Sequence, residues 1–304
     1  MTTIQKMLSA AYKAITVPDV GDSRLVPEQA DRFLRIIEQE SVLLGEARRL
    51  NLRADRRNID RTGFSDRILQ AAQAEGTEFT DRQQPDFFTN QLVAAKARGA
   101  AAITDEALEE NIERDGFEDT LVSMIASQAA LDLEELLLAG DTSSGDAFLA
   151  LIDGWLVEAE QQLDGATADF DATDVEDMLD AMLLAVDEKY LRNPADWRFY
   201  VTFAMENAYR DALRARETNL GDTAQTGREP LFYKGFRLRT VALMPPGEAL
   251  FTNRNNSVYG IRRDIEIEPE RKADHDRWDF HVRVKADANY EDENAAVAAT
   301  GSTV

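Results

Sequence analysis

Two periodicities divide the chain. From Glu118 to Ala139 apolar residues recur at helical spacing: Val122, Ile125, Ala126, Ala129, Leu133, Leu136 and Leu137 form one stripe, and Phe117, Leu121, Met124, Leu131 and Leu138 a second. This pattern predicts a helix covered on at least two sides, roughly 33 Å long, with Gly140 placed to cap its C-terminus. Toward the C-terminus the period is two. Tyr259, Ile261, Ile265 and Ile267 alternate with polar residues or Gly260, and Trp278, Phe280, Val282, Val284, Ala286, Ala288 and Tyr290 do the same. With Pro269 to Arg277 as a polar connection, they predict an antiparallel pair with one wet face. Gly301 to Val304 should be loose.

Weaker patterns fill the remainder. Val26, Ala30, Phe33, Leu34 and Ile37 follow helical spacing after Pro27, so Leu25 to Leu44 is read as a helix, and Leu50 and Leu52 mark a strand. Asn58 to Ala95 has little periodicity and contains Gly63, Gly76 and Pro85. Folded as a two-stranded arm of about 19 residues a side, it would reach roughly 60 Å. Such an arm cannot bury itself, so it must be disordered or lie on a neighbouring molecule. Thr104 can cap a short helix over the acids that follow it. Thr173-Asp174-Val175-Glu176 reads as a capping box opening a helix through Met178, Leu179, Met182, Leu183 and Val186. Arg198 to Phe203 then reads as a strand, Ala204 to Arg216 as a helix, and Thr218 to Arg228 as a polar loop. Phe236, Leu238 and Val241 to Leu243 form a strand ended by Pro245-Pro246-Gly247. The sum is a mixed α/β unit with short crossovers.

Composition mainly removes functions. The chain of 304 residues has no cysteine and only two histidines, His275 and His281, so thiolate chemistry, sulfur-built zinc sites and histidine relays lack their parts. Both histidines are expected on exposed strand or loop. The helical spacing of Ile4, Met7, Leu8, Ala11 and Ile15 does not suit a signal peptide, and no apolar run is long enough for a membrane span. Asp169, Asp171, Asp174, Glu176, Asp177 and Asp180 resemble a calcium loop, but Asp174 stands where glycine is needed and Asp180 where glutamate is, so an acid-rich helix start is preferred. No phosphate loop, dinucleotide fingerprint or nucleophile elbow occurs, and no carboxylate dyad stands out. No catalytic, cofactor or metal residue is assigned.

Charge changes the picture once more. The formal net charge of -23 disfavours general nucleic-acid binding, yet Arg48, Arg49, Arg53, Arg56, Arg57, Arg61 and Arg67 are crowded together. A protein-contacting basic face is the preferred reading. Its expected partners are acids of the region from Glu106 to Glu135, chiefly Glu109, Glu110, Glu113, Glu134 and Glu135, on another subunit.

Several segments carry a family resemblance: Leu25-Val26-Pro27-Glu28-Gln29; Ala101-Ala102-Ile103-Thr104-Asp105-Glu106-Ala107-Leu108; Glu134-Glu135-Leu136-Leu137-Leu138-Ala139-Gly140-Asp141; and Phe232-Tyr233-Lys234-Gly235-Phe236 through Val241-Ala242-Leu243-Met244-Pro245. They resemble major capsid proteins of tailed phages, over roughly residues 25 to 298. The resemblance implies an α+β, HK-97-like phage capsid fold. Residues 1–57 would be an N-terminal arm, 58–98 an extended β-hairpin loop, 99–144 with 257–304 a peripheral domain containing a spine helix, and 145–256 an axial domain. It also implies a non-enzymatic subunit without cofactors, assembled in the host cytoplasm into the hexamers and pentamers of a virion shell around double-stranded DNA. The DNA would be enclosed without sequence-specific binding, and no membrane would be involved. Portal and decoration proteins are implied partners. With no lysine between Lys13 and Lys96, covalent cross-linking through the loop is not expected. A short segment before Leu25 points to a separate scaffolding protein. The alternatives are an encapsulin-type compartment and, from another class, a soluble acidic enzyme or binding domain with a disordered insertion.

Overall fold

The computed structural model describes residues 41–64, 68–69, 84–106, 117–215, 230–262 and 266–304. The helix expected from Leu25 lies mostly outside these residues, as do the helix expected after Thr104, beyond Glu106, and the loop from Thr218 to Arg228.

The two-residue period builds a five-stranded sheet. It contains β1 (Arg48–Leu52), β4 (Ala95–Thr104), β10 (Ser257–Arg262), β11 (Glu266–Lys272) and β12 (Arg277–Tyr290). β12 organises it, pairing antiparallel with β11 along its first half, with β10 along its second, and with β4 on its other edge. β1 adds to β10 in parallel. The expected polar connection is therefore mostly strand, because β11 continues through Pro269 to Lys272 and only a tight turn precedes Arg277. Nor does β10 keep a wet face: Ser257, Val258, Tyr259 and Ile261 are all buried. Tyr259 and Ile261 enter the main core, while Val258 packs against Leu52, Ile59 and Leu92 on the other side. Gly260 leaves room for Leu52 there, since an added Cβ would lie 2.8 Å from a Leu52 methyl and force that side chain to shift.

A second, six-stranded sheet runs in the order β5 (Gln161–Asp164), β13 (Ala296–Thr300), β9 (Ala249–Asn253), β6 (Trp197–Val201), β8 (Phe236–Thr240) and β7 (Phe232–Tyr233). Its residues alternate between two cores. Tyr200, Leu250, Ala296 and Ala298 face the first core, shared with α1 (Val42–Glu46), α2 (Phe117–Ala139), α3 (Trp155–Glu158) and the five-stranded sheet. Phe199, Phe251, Val297 and Ala299 face the second, beneath α4 (Val175–Ala185) and α5 (Phe203–Ala215). Phe199 and Phe251 stack with ring centroids 4.2 Å apart. Full burial of one such side chain contributes about 1.5–3 kcal/mol. β13 thus separates from the other C-terminal strands, pairing parallel with β5 and antiparallel with β9.

Several local expectations change for identifiable reasons. In α2, Ala126, Ala130, Leu133 and Leu137 are buried, but Met124 is 64% and Leu131 36% exposed, so among the described side chains of the second stripe only Leu138 is covered. Gly140 closes the helix by donating to the Leu136 carbonyl at 2.9 Å. Its lack of a side chain serves close packing, since a Cβ would come within 2.6 Å of the Ile152 carbonyl oxygen. The residue capping α4 is Asp174, whose carboxylate accepts from the Glu176 N–H at 2.9 Å; Thr173 instead turns its hydroxyl to Asp171. β8 stops at Thr240, since the Met244 N–H folds back to the Val241 carbonyl before the prolines. The C-terminal residues are tied down: Ser302 N–H donates to the Gly247 carbonyl at 3.1 Å and Thr303 N–H to the Ala172 carbonyl at 2.8 Å.

Candidate interaction site

The arginine-rich segment begins on β1 and continues into a separate two-stranded ribbon, β2 (Arg56–Gly63) with β3 (Asp86–Val93), joined by eight antiparallel residue pairs. Asn58 with Gln91 and Asp60 with Thr89 add side-chain hydrogen bonds across those pairs. Ile59 and Leu92 are buried, both near the body, whereas Phe87 is 75% and Phe88 45% exposed. Beyond the paired residues, Phe64 and Leu69 are exposed as well. A ribbon with so little burial is marginal alone and is held by its root.

That root is polar. The Asp55 carbonyl accepts from the Ala94 N–H at 2.9 Å, while its carboxylate takes Arg262 and Lys285, each at 2.7 Å. The Lys285 hydrogen bond and the Arg262 charge hold the Asp55 carboxyl below the usual range. On the opposite side, the Asp287 carboxylate accepts from the Val93 N–H, and Asn90 donates to the Tyr290 carbonyl at 2.9 Å. Arg61 pairs with Asp292 and lies over the Phe88 ring, 4.7 Å from its centroid.

Behind Asp287 is a seam of carboxylates. Glu158 at the end of α3 faces Glu293, Asp153 and Asp287. Burial, then those like charges, push its carboxyl up to about 7. Asp287 is pushed up to about 6, mainly by burial and against the hydrogen bonds it accepts from Val93 and Ala288. Among the described residues no lysine or arginine charge offsets Glu158, Asp287 or Glu293.

Within the chain, three of the arginines already have partners. Arg48 pairs with Glu291 at 3.0 Å, Arg57 donates to the Asn51 carbonyl at 2.9 Å, and Arg61 takes Asp292. Arg49 is half-buried, and Arg53 and Arg56 are exposed. Of the acids expected to oppose them, Glu135 is exposed, but Glu134 is only 3% exposed. Glu134 hydrogen-bonds Ser41 and the backbone of Leu43 at the start of α1, and burial raises its pKa. It is therefore withdrawn from the exposed acidic face. Its position could have been read: Ala130, Glu134, Leu137 and Leu138 share one helical face. Arg67, Glu109, Glu110 and Glu113 lie outside the described residues.

No group of three or more metal-binding side chains occurs among the described residues. The acids from Asp169 to Asp180 serve turns and ion pairs: Asp171 accepts from Thr173, Asp177 from the Asp171 N–H, and Asp180 pairs with Lys234. His275 sits in the turn before β12 and His281 on β12, 3.3 Å from Glu270, both partly exposed. A groove of 360 Å³ between α2 and β4 is walled chiefly by apolar side chains, among them Ile125, Phe148 and Val284. The arrangement is equipped for contact with protein, through an exposed ribbon on a charged root.

Comparison with known proteins agrees with that character. A model of the phage capsid family matches residues 23–301. The putative prophage capsid protein YqbE of Bacillus subtilis (strain 168) is 34% identical over 306 residues, covering 96% of each chain. The capsid of a native GTA particle shares 14% identity with a TM-score of 0.63, over 87% of this chain and 91% of that one. The SrpI encapsulin of Synechococcus elongatus PCC 7942 shares 12% identity with a TM-score of 0.57, over 85% and 86%.

Proposed function

Because this chain belongs to the phage capsid family, we propose that it is the major capsid protein, the repeating subunit of an icosahedral virion shell that encloses double-stranded DNA. Copies assemble in the host cytoplasm as hexamers and pentamers around a separate scaffolding protein, with portal and decoration proteins as further partners. Its role is structural and not enzymatic. In this reading residues 1–57 are the arm, 58–98 the extended loop, 99–144 with 257–304 the peripheral domain, and 145–256 the axial domain. β13 complicates the last boundary, because it completes the sheet of the axial part.

The observation that carries the reading is the ribbon. Eight residue pairs with exposed phenylalanines need a covering surface that this chain does not supply among its described residues. In a closed assembly of identical subunits, the neighbour supplies it. The encapsulin likeness shows the fold alone, whereas identity to a prophage capsid protein extends along nearly the whole chain and favours the viral shell. Electron microscopy of the expressed protein should show closed shells. A species that remains monomeric in sizing experiments under all conditions, with a protease-sensitive ribbon, defeats the reading.

A further inference from the structure

Arg198 and Tyr200 on β6 stand beside Arg237 and Arg239 on β8, paired in register as Arg198 with Arg237 and Tyr200 with Arg239. The alternation that sends Phe199 and Leu238 into the second core turns these four toward the first. Above them is Glu46, the last residue of α1. One Glu46 oxygen accepts from Arg239 Nε at 2.9 Å; the other accepts from the Tyr200 hydroxyl at 3.1 Å and forms an ion pair with Arg198, whose Nε lies 3.0 Å away but is not aligned for a hydrogen bond. Both oxygens are occupied. Arg237 Nε is buried with no hydrogen-bond acceptor among the described residues. Three guanidinium groups thus face one carboxylate, an excess of two positive charges.

Arginine cannot relieve such crowding by releasing a proton at any pH the protein meets. The Arg237 side chain is half-buried and its Nε is cut off from water without an acceptor, an unfavourable arrangement that a further anion would relieve. Arg198 is 9% exposed, but the Arg239 side chain is 34% exposed, so the cluster opens to solvent at the β8 side. Burial, then the charges of Arg239 and Arg198, lower the pKa of Arg237, in keeping with this deficit of negative charge.

We propose that Arg237, with Arg239, forms an oxyanion site that receives an aspartate or glutamate side chain from a second copy of this chain. Guanidinium binds carboxylate in a planar, two-bond geometry, and the chain offers 57 acidic residues against 34 basic ones. A nucleic-acid strand suits the site less well. Glu46 already lies in it, and the surrounding charge of -23 repels a polyanion. The inference rests on the shell reading, because only an assembly brings a second copy to this face.

The test compares wild type with Arg237→Gln and Arg237→Lys. Wild-type shells should form at a concentration about tenfold below that needed by Arg237→Gln, with Arg237→Lys between them. Thermal melting of the unassembled subunit should be unchanged or raised in Arg237→Gln, since a crowded cation has gone. Equal assembly by wild type and Arg237→Gln overturns the inference and leaves the shell reading intact. A matching loss of stability in the unassembled subunit also overturns it, by placing the counter-ion within the same chain. A third contrary result is an Arg237→Gln subunit that loses affinity for a single-stranded DNA oligonucleotide bound by wild type, which would identify the anion as phosphate. If wild type forms no shells under any condition, the shell reading fails and this inference with it.

Discussion

Like charges gather at two places in this subunit, with different consequences. At the ribbon root Asp153, Glu158, Asp287 and Glu293 crowd together; beneath α1, Arg198, Arg237 and Arg239 do so. Glu158, pushed up to about 7, and Asp287, pushed up to about 6, can take up protons as the pH falls from neutral, so the seam relieves its own repulsion inside one chain. Guanidinium groups hold their charge, so the arginine cluster needs an anion from elsewhere. Acidic crowding can therefore be a titratable property of one subunit, while arginine crowding makes a demand on its surroundings.

Glu46→Gln should break this contrast most severely. It leaves the buried Arg198 and the part-exposed Arg239 without their counter-charge, at an expected cost of about 3–5 kcal/mol in urea unfolding of the unassembled subunit. A loss under about 1 kcal/mol would mean that Glu46 is not the principal counter-ion. Next in size is Asp287→Ala, which removes the acceptor of the Val93 N–H and should cost about 1.5–3 kcal/mol. Hydrogen exchange should quicken at the root of β3, and Asp287→Asn, still an acceptor, should retain most of the protection. Unchanged exchange in Asp287→Ala would remove Asp287 from the anchor.

The pH response is smaller and has a definite sign. Glu158 titrates at about 7 in the fold and near 4.5 when unfolded, so the folded chain binds more protons between those values. Stability should therefore fall as pH rises from 4.5 to 7, with Asp287 adding the same trend between 3.8 and about 6. After solvent screening the Glu158 contribution is on the order of 1–2 kcal/mol. Thermal melts from pH 5 to 8 should show this slope flattened in Glu158→Gln, and an equal slope in both proteins would contradict the assignment. The smallest effect per contact belongs to Arg56→Glu combined with Arg57→Glu, since an exposed ion pair is worth about 0–1 kcal/mol. Melting of the free subunit should hardly move while shell yield falls. Normal yield would end the case for charge pairing between subunits at this segment.

Elements with one wet side are legible in the sequence, whereas those enclosed on both sides are legible only in part: β6 and β10 carry a strand pattern, but β13 does not. α2 was legible because its buried residues recur at helical spacing, and β12 because Phe280, Val282 and Val284 alternate with charge. β13 passed unnoticed: Ala296, Val297, Ala298 and Ala299 are all buried, so no alternation marks them. The crowding of the arginines is plain in the sequence, but the acceptors Glu291 and Asp292 lie more than two hundred residues away from Arg48 and Arg61, a pairing that the sequence does not carry. The Arg198 cluster escaped for the same reason. Each strand shows its polar face in Trp197-Arg198-Phe199 and Phe236-Arg237-Leu238-Arg239, but their adjacency comes from a parallel pairing made only in the fold.

The six-stranded sheet has a mechanical consequence. Phe199, Leu250, Phe251, Val297 and Ala298 are all inaccessible to solvent, on both its faces, and close-packed interiors resist compression. Load applied to one core therefore passes through the sheet to the other, and the body behaves as a single stiff plate. The ribbon is joined to that plate by a handful of hydrogen bonds, ion pairs and two buried aliphatic side chains. A wall tiled from such pieces would be rigid within each tile and compliant along the ribs between them.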